Sequence, residues 1–339
     1  MPEPPPLSPS YKDRKTGLIV FGILQILLGA FFALALLAII AGHLIAAHRP
    51  ETAAQTDPRA VLPSIAMMVF FMIACVWLGV GAINTRRWAR AINLCISAMG
   101  LIFGMFTVVS LFWTLPGVDA MLSHNAQQTG QQLPATAVTF VKAAMIGTTV
   151  LFYIVIPGAA FLFYRSEHVR LTCEARDPVV RWTDRCPVPV LAIVLLQCAG
   201  VGSMLLFTPV YGWVFPFFGL LLQGPAAMIL YLGAAVFMLA TAWGFYRLRL
   251  TALWAYIAVI LIFDASGVVT FSGGKLMLYY RAIGLPEAQL QQLNQMPMLH
   301  SSAIVWLGAF GALLYLGYLL WLKKYFIEQG SAESSSIIR

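Results

Sequence analysis

Apolar residues gather in eight runs of about 20 positions, the length of helix needed to cross a hydrocarbon core of roughly 30 Å. They lie near 17–43, 62–84, 91–115, 138–164, 188–209, 225–246, 251–272 and 300–322. None of them alternates apolar and polar residues with the period of two that the strands of a membrane barrel require. The pattern therefore predicts an all-α, polytopic integral membrane protein with eight transmembrane helices. The first run carries no charge from Gly17 to Ile40. A cleavable signal peptide has an apolar core of only about 7–15 residues, so this run is read as a retained helix. A further apolar stretch, 210–224, holds Trp213, Pro216, Phe217 and Phe218 and is too short to span. It is expected as a re-entrant or interfacial piece on the outer side.

The second half of the chain echoes the first. Leu101-Ile102-Phe103 with Val108-Val109 returns 160 positions later as Leu261-Ile262-Phe263 with Val268-Val269. Each copy follows a basic hairpin, Arg86-Arg87-Trp88-Ala89-Arg90 in one and Tyr246-Arg247-Leu248-Arg249 in the other. Gln25 and Gln197 hold similar places in the first helix of each half. Two parallel four-helix repeats are expected, each entering and leaving the membrane on the same side. The resulting division is a tail at 1–16, a first repeat at 17–164, a connector at 165–187, a second repeat at 188–324 and a tail at 325–339. Asp177-Pro178 and Pro187-Val188-Pro189 predict turns in the connector. The outer loops 48–61, 116–137 and 273–299 are mostly neutral, with a short surface helix expected within 286–296. The Ser-rich tail from Ser331 is expected to be disordered.

Composition narrows the class further. With 60% hydrophobic and 10% charged residues, too little polar surface remains to face water around an ordinary soluble domain. The net charge of +8 is distributed by side rather than along a nucleic-acid-binding face. When loops are assigned alternately, sixteen of the 21 Lys and Arg fall on one side, leaving Arg49, Arg59, Lys142, Lys275 and Arg281 on the other. The positive-inside rule then places both termini in the cytoplasm. The expected location is a bacterial inner (cytoplasmic) membrane, with membrane lipids and a membrane-protein partner as contacts and no nucleic acid.

Few residues invite chemistry. Asp264 is the acidic residue deepest in a predicted span, and a carboxylate there costs roughly 2.5–3.5 kcal/mol on insertion scales. The repeat pairs it with Gly104. It reads either as a proton- or ion-coupling group or as a structural carboxyl that bonds a neighbouring helix or pairs with Lys142. Gln25 and Gln197 read as lining a polar path or as interhelical hydrogen-bonding groups. Gly308 and Ala312 form a small-xxx-small pair suited to close helix packing, and Pro157 with Gly158 suggests a hinge. In the connector, Arg181, Trp182 and Arg185 are candidates for docking a partner or a headgroup. His168, Cys173 and Cys186 form a weak alternative as metal ligands, because structural zinc sites usually show a close pair of Cys. No cofactor is implied, and no hydrolase elbow, zincin helix or phosphate-binding loop is present.

Two functions follow as expectations. The first is an accessory or scaffold subunit of a membrane complex, without catalytic activity, suggested by the scarcity of intramembrane charge. The alternative is a carrier of a small or lipophilic solute with Asp264 as its coupling group.

Overall fold

The computed structural model describes residues 11–47, 61–129, 134–272, 274–294 and 303–337. Its elements run α1 (Lys15–Ala47), α2 (Val61–Ile83), α3 (Arg87–Thr129), α4 (Ala135–Val150), a π turn (Leu151–Val155), α5 (Ile156–Arg165), α6 (Glu167–Arg176) and a 3-10 turn (Trp182–Asp184). There follow α7 (Val188–Phe207), β1 (Val214–Phe217), β2 (Leu220–Gln223), α8 (Pro225–Tyr246), α9 (Leu250–Ser272), α10 (Leu276–Ala282), α11 (Glu287–Asn294) and α12 (Ala303–Ile337). Among the described residues, eight helical stretches are long and apolar enough to cross a membrane. They match the eight apolar runs, and the protein is an all-α, multi-pass membrane protein.

The chain forms two compact units. One comprises Met1–Leu37, Met68–Val108 and Gly147–Val188, the other Ala38–Met67, Val109–Ile146 and Pro189–Arg339.

In the first unit, glycine sets the closeness of the helices. A Cβ on Gly22 would lie 2.7 Å from the carbonyl oxygen of Gly79, and a Cβ on Gly79 equally close to that of Gly22. Only hydrogen side chains allow α1 and α2 this approach. Gly104 of α3 abuts the carbonyl of Tyr153 in the π turn. The π turn stands two residues ahead of Pro157, where the missing N–H breaks the regular ladder, so a π bulge lies beside the Pro157-Gly158 pair. Leu18, Leu94, Tyr164, Val169 and Cys173 form the core beneath.

At the basic end of this unit, the connector opens with the ten-residue helix α6 and only then breaks into turns. Glu167 in its first turn and Arg176 in its last complement the helix dipole. The N–H of Arg14 donates to Thr172 Oγ1 at 3.0 Å, and Arg176 Nη2 lies 2.7 Å from Asp13 Oδ2. Arg86 and Arg87 reach Asp177 and Asp184.

In the second unit, Phe245 is fully buried and packs edge-on against Tyr256 and Phe326, with centroids 5.5 and 5.4 Å away. Leu253, Leu319 and Leu322 fill the space around it. Trp306, Phe310, Leu313 and Leu314 of α12 are exposed, as a lipid-facing surface requires.

The two basic hairpins share one geometry. Thr85 and Leu248 adopt positive φ, 53° and 52°, at the ends of α2 and α8. The following N–H, of Arg86 or Arg249, donates at 2.9 Å to the carbonyl of Gly81 or Gly244. This is the Schellman stop, and each glycine also abuts an alanine of the next helix, Ala89 or Ala252. In this register Gly104 answers to Gly267, and Asp264 answers to Leu101.

The stretch 210–224, expected as a re-entrant or interfacial piece, contains a β hairpin pairing Val214 with Gln223 and Phe217 with Leu220. Three expectations are corrected. The outer loop 116–137 is helical as far as Thr129, because Pro116 and Gly117 do not end α3. The tail from Ser331, expected to be disordered, continues α12 to Ile337, since adding a residue to an existing helix avoids the cost of nucleation. The outer segment 273–299 contains α10 besides the foreseen surface helix, which is α11.

Candidate ligand cavity

The hairpin positions the C-terminal half of α9. Ser266 and Thr270, one turn apart, are both buried and face it. The N–H groups of Phe218 and Gly219 donate to Ser266 Oγ and Thr270 Oγ1, each at 2.9 Å, and Ser266 Oγ donates back to the carbonyl of Pro216 at 3.0 Å. Lys275 Nζ donates to the carbonyl of Gly219, and Tyr231 hydroxyl to that of Val214 at 2.9 Å. The tight turn puts Phe218 and Gly219 at φ 41° and 86°. Irregular backbone next to a membrane span thus finds its partners inside the protein.

The neighbouring face of α9 lines a cavity of 270 Å³. Phe263, Asp264, Gly267, Val268 and Phe271 recur at the spacing of one helical face, and Val305, Gly308 and Ala309 of α12 stand opposite, with Leu276 of α10 completing the wall. A Cβ added to Gly267 or to Gly308 would meet nothing within 4 Å. Gly308 therefore opens space and does not draw helices together, contrary to the packing role expected of it.

Asp264 is the polar group of this cavity. Its Oδ2 is buried and has no hydrogen-bond partner among the described residues. Among the described residues no ion pair joins Lys142 to Asp264; Lys142 is half-buried and has a contact of its own.

Two helical turns along α9, about 12 Å, lies a second polar centre. Tyr256 and Tyr315 hydroxyls are 3.1 Å apart, and Gln197, fully buried, stands beside Tyr256 with its Oε1 3.4 Å from Thr241 Oγ1. Gln197 Nε2 has no hydrogen-bond partner among the described residues. The first unit builds a comparable centre. Gln25 Nε2 donates to Asn93 Oδ1, and Asn93 Nδ2 lies 3.3 Å from Gln25 Oε1 and 3.4 Å from the Tyr164 hydroxyl. Both glutamines thus hydrogen-bond within their own units. Asn93, Tyr256 and Tyr315 had not been singled out in the sequence, although a polar side chain on an apolar span is the signal that marks them.

The connector candidates separate. Arg181 Nη2 lies 3.3 Å from Asp177 Oδ1, and its N–H donates to Asp184 Oδ2 at 2.8 Å. Trp182 and Arg185 are exposed. Asp177, only 2% exposed, also accepts from the N–H of Arg87 at 3.3 Å. Burial alone would raise its carboxyl, but the Arg181 guanidinium, the Arg87 N–H and Arg86 outweigh that and hold it below the usual carboxylate range.

His168, Cys173 and Cys186 do not meet as ligands. His168 is exposed while both thiols are buried, and among the described residues no three His, Cys, Asp or Glu gather as a metal site. Burial pushes Cys173 up to about 11 and Cys186 to about 12, so both stay neutral, the form that binds metal poorly.

No protein-family model matches the chain, and neither a curated protein nor a solved structure resembles it significantly.

Proposed function

We propose that the protein carries a small lipophilic ammonium compound across the cytoplasmic membrane, with both termini in the cytoplasm, and exchanges it for a proton on Asp264. The observation that carries this reading is the buried, unpartnered Oδ2 of Asp264 on a 270 Å³ apolar cavity. A carboxyl kept for structure alone gains by bonding a neighbouring helix, and an unsatisfied one costs about 1–3 kcal/mol. At 270 Å³ the cavity lies just below the usual range for ligand pockets, about 300–1,000 Å³, which limits it to a small compound. Phe263 and Phe271 supply aromatic rings beside the carboxylate, a combination suited to an ammonium group. One carboxylate balances one positive charge. Arrival of the cation releases the Asp264 proton, and departure of the cation lets a proton return.

The accessory-subunit reading rests on scarce intramembrane charge and has no comparably specific support, because Arg181 is drawn into ion pairs of its own unit. A stoichiometric protein partner co-purifying from the native membrane would favour it.

The test is calorimetric titration of the purified protein with benzyltrimethylammonium over a range of pH. Binding is expected to weaken as pH falls, with protons released on binding. Asp264→Asn is expected to lose the pH dependence and about tenfold or more in affinity. Gly308→Leu, which fills the cavity without touching the carboxyl, is expected to weaken binding while the thermal unfolding temperature holds. Unchanged pH-dependent binding in Asp264→Asn, or no binding by the parent protein, defeats the reading.

A further inference from the structure

Arginines converge at the basic end of the first unit. Arg86, Arg87 and Arg90 occupy the start of α3, where residues three and four apart are surface neighbours. The connector brings Arg181 to the same place. Asp177 receives Arg86 Nη1 at 3.5 Å and Arg181 Nη2 at 3.3 Å, and Asp184 receives Arg87 Nε at 3.3 Å. Arg90 faces Asp184, Glu174, Arg170 and Cys173. Arg170 already bridges Glu167 at 3.1 Å and Glu174 at 3.8 Å. Five guanidinium groups, Arg86, Arg87, Arg90, Arg170 and Arg181, thus meet four carboxylates, Glu167, Glu174, Asp177 and Asp184, and the cluster carries one excess positive charge.

Its donors are also incompletely used. The Nε atoms of Arg87, Arg90 and Arg181 are buried and make no hydrogen bond among the described residues, Arg87 Nε meeting Asp184 at ion-pair distance without hydrogen-bond alignment. Guanidinium forks with spare N–H groups and spare charge match the tetrahedral oxygens of a phosphate. Beside Arg181, Val179, Val180 and Trp182 are 55%, 61% and 45% exposed, an apolar group of the kind that rests among acyl chains while the arginines stay at headgroup level.

We propose that Arg87, Arg90 and Arg181 bind a phosphate group, namely the headgroup phosphate of an anionic phospholipid whose chains lie against Val179, Val180 and Trp182. An inorganic phosphate ion shares the recognition chemistry without the apolar contact. Because the site uses none of the Asp264 cavity, it stands or falls apart from the transport reading.

The experiment is native mass spectrometry of the full-length protein in phosphatidylcholine nanodiscs doped with phosphatidylglycerol, alongside equilibrium dialysis against inorganic phosphate. One phosphatidylglycerol retained per chain is expected, and Arg90→Gln is expected to lower its retention about tenfold. Arg249→Gln, which removes a basic charge from the other unit's hairpin, is expected to retain it. Arg90→Lys keeps the charge but not the fork and is expected to fall between. If Arg90→Gln does not fold, Arg181→Gln on the connector replaces it, with the same loss expected. Phosphate binding without lipid retention, with the same arginine dependence, keeps the anion site and overturns its lipid. Equal retention in Arg90→Gln and parent, or equal loss in Arg249→Gln, overturns the site altogether.

Discussion

Two aspartates show how differently one residue type is held in this chain. Asp177 is buried among arginines and a backbone N–H, so its charge is compensated on every side. Because its folded carboxyl is held below the usual range, it stabilises the connector at any pH above the unfolded value of about 3.9. That contribution is lost as pH falls through the lower folded value. The connector is therefore expected to stay docked at pH 5 and to loosen only in strong acid. Asp177→Asn leaves Arg86 and Arg181 facing a neutral amide, and breaking a buried pair costs about 3–5 kcal/mol. Here the arginines are partly exposed, 46% and 35%, so the lower end applies, near 3 kcal/mol. Thermal unfolding and protease cleavage between 177 and 187 measure this, and cleavage no faster than in the parent refutes it. Asp264 has no such compensation. The sequence marks it as isolated in its span, and the structure adds the cavity that its isolation faces. Nothing in the sequence announces that Gly267 and Gly308 border open space while Gly104 is pressed against a carbonyl, because a glycine reads the same in both settings.

At the scale of the element, span length was legible and irregular structure was not. A predominantly apolar run of about 20 residues leaves a helix as the way to satisfy its backbone within a membrane, so all eight spans could be placed from hydropathy. The hairpin at 214–223 lacks that constraint. Its apolar side chains resemble those of a short helix, and Ser266 and Thr270 on a distant span, together with Lys275, explain how the turn at Phe218 and Gly219 is held. The offset between matching features of the two halves is not constant. The Leu-Ile-Phe match aligns side chains that are interchangeable in lipid, whereas the Schellman turns at Thr85 and Leu248 fix backbone geometry three residues further along. Removing the two hydroxyls in Ser266→Ala with Thr270→Val leaves two hairpin N–H groups and the Pro216 carbonyl without these partners. About 3 kcal/mol of stability is expected to be lost, at roughly 1 kcal/mol per bond. Hydrogen exchange is expected to quicken at Phe218 and Gly219 and to stay unchanged at the Schellman amides of Arg86 and Arg249. Equal quickening at both places would mean that the hydroxyls support the whole fold and not the hairpin.

For the whole molecule, the distribution of basic residues and the internal contacts constrain topology independently. In the first unit, Asp13, the 86–87 turn and the connector are joined by ion pairs, so they occupy one end of that unit. In the second, Tyr318 hydroxyl donates to the carbonyl of Pro189 at 3.0 Å, Lys323 stands over the Trp254 ring at 5.5 Å, and Phe245 packs on Phe326. The start of α7, the Arg247–Arg249 turn and the end of the last span therefore share an end as well. Each arrangement needs an even number of crossings between its members. A crossing by 208–224 would have broken the second one, and the hairpin instead returns on itself. The even count agrees with the sixteen-to-five partition of Lys and Arg, from which the positive-inside rule assigns the rich side to the cytoplasm. Green fluorescent protein fused after Lys324 or inserted at Arg185 is expected to fluoresce, since it matures in the cytoplasm, and alkaline phosphatase at the same positions to be inactive. A phosphatase inserted between Gly284 and Glu287, on the opposite side, is expected to be active. The opposite pattern at all three positions would invert the protein in its membrane while keeping the even count. A split between Arg185 and Lys324 would overturn the count itself.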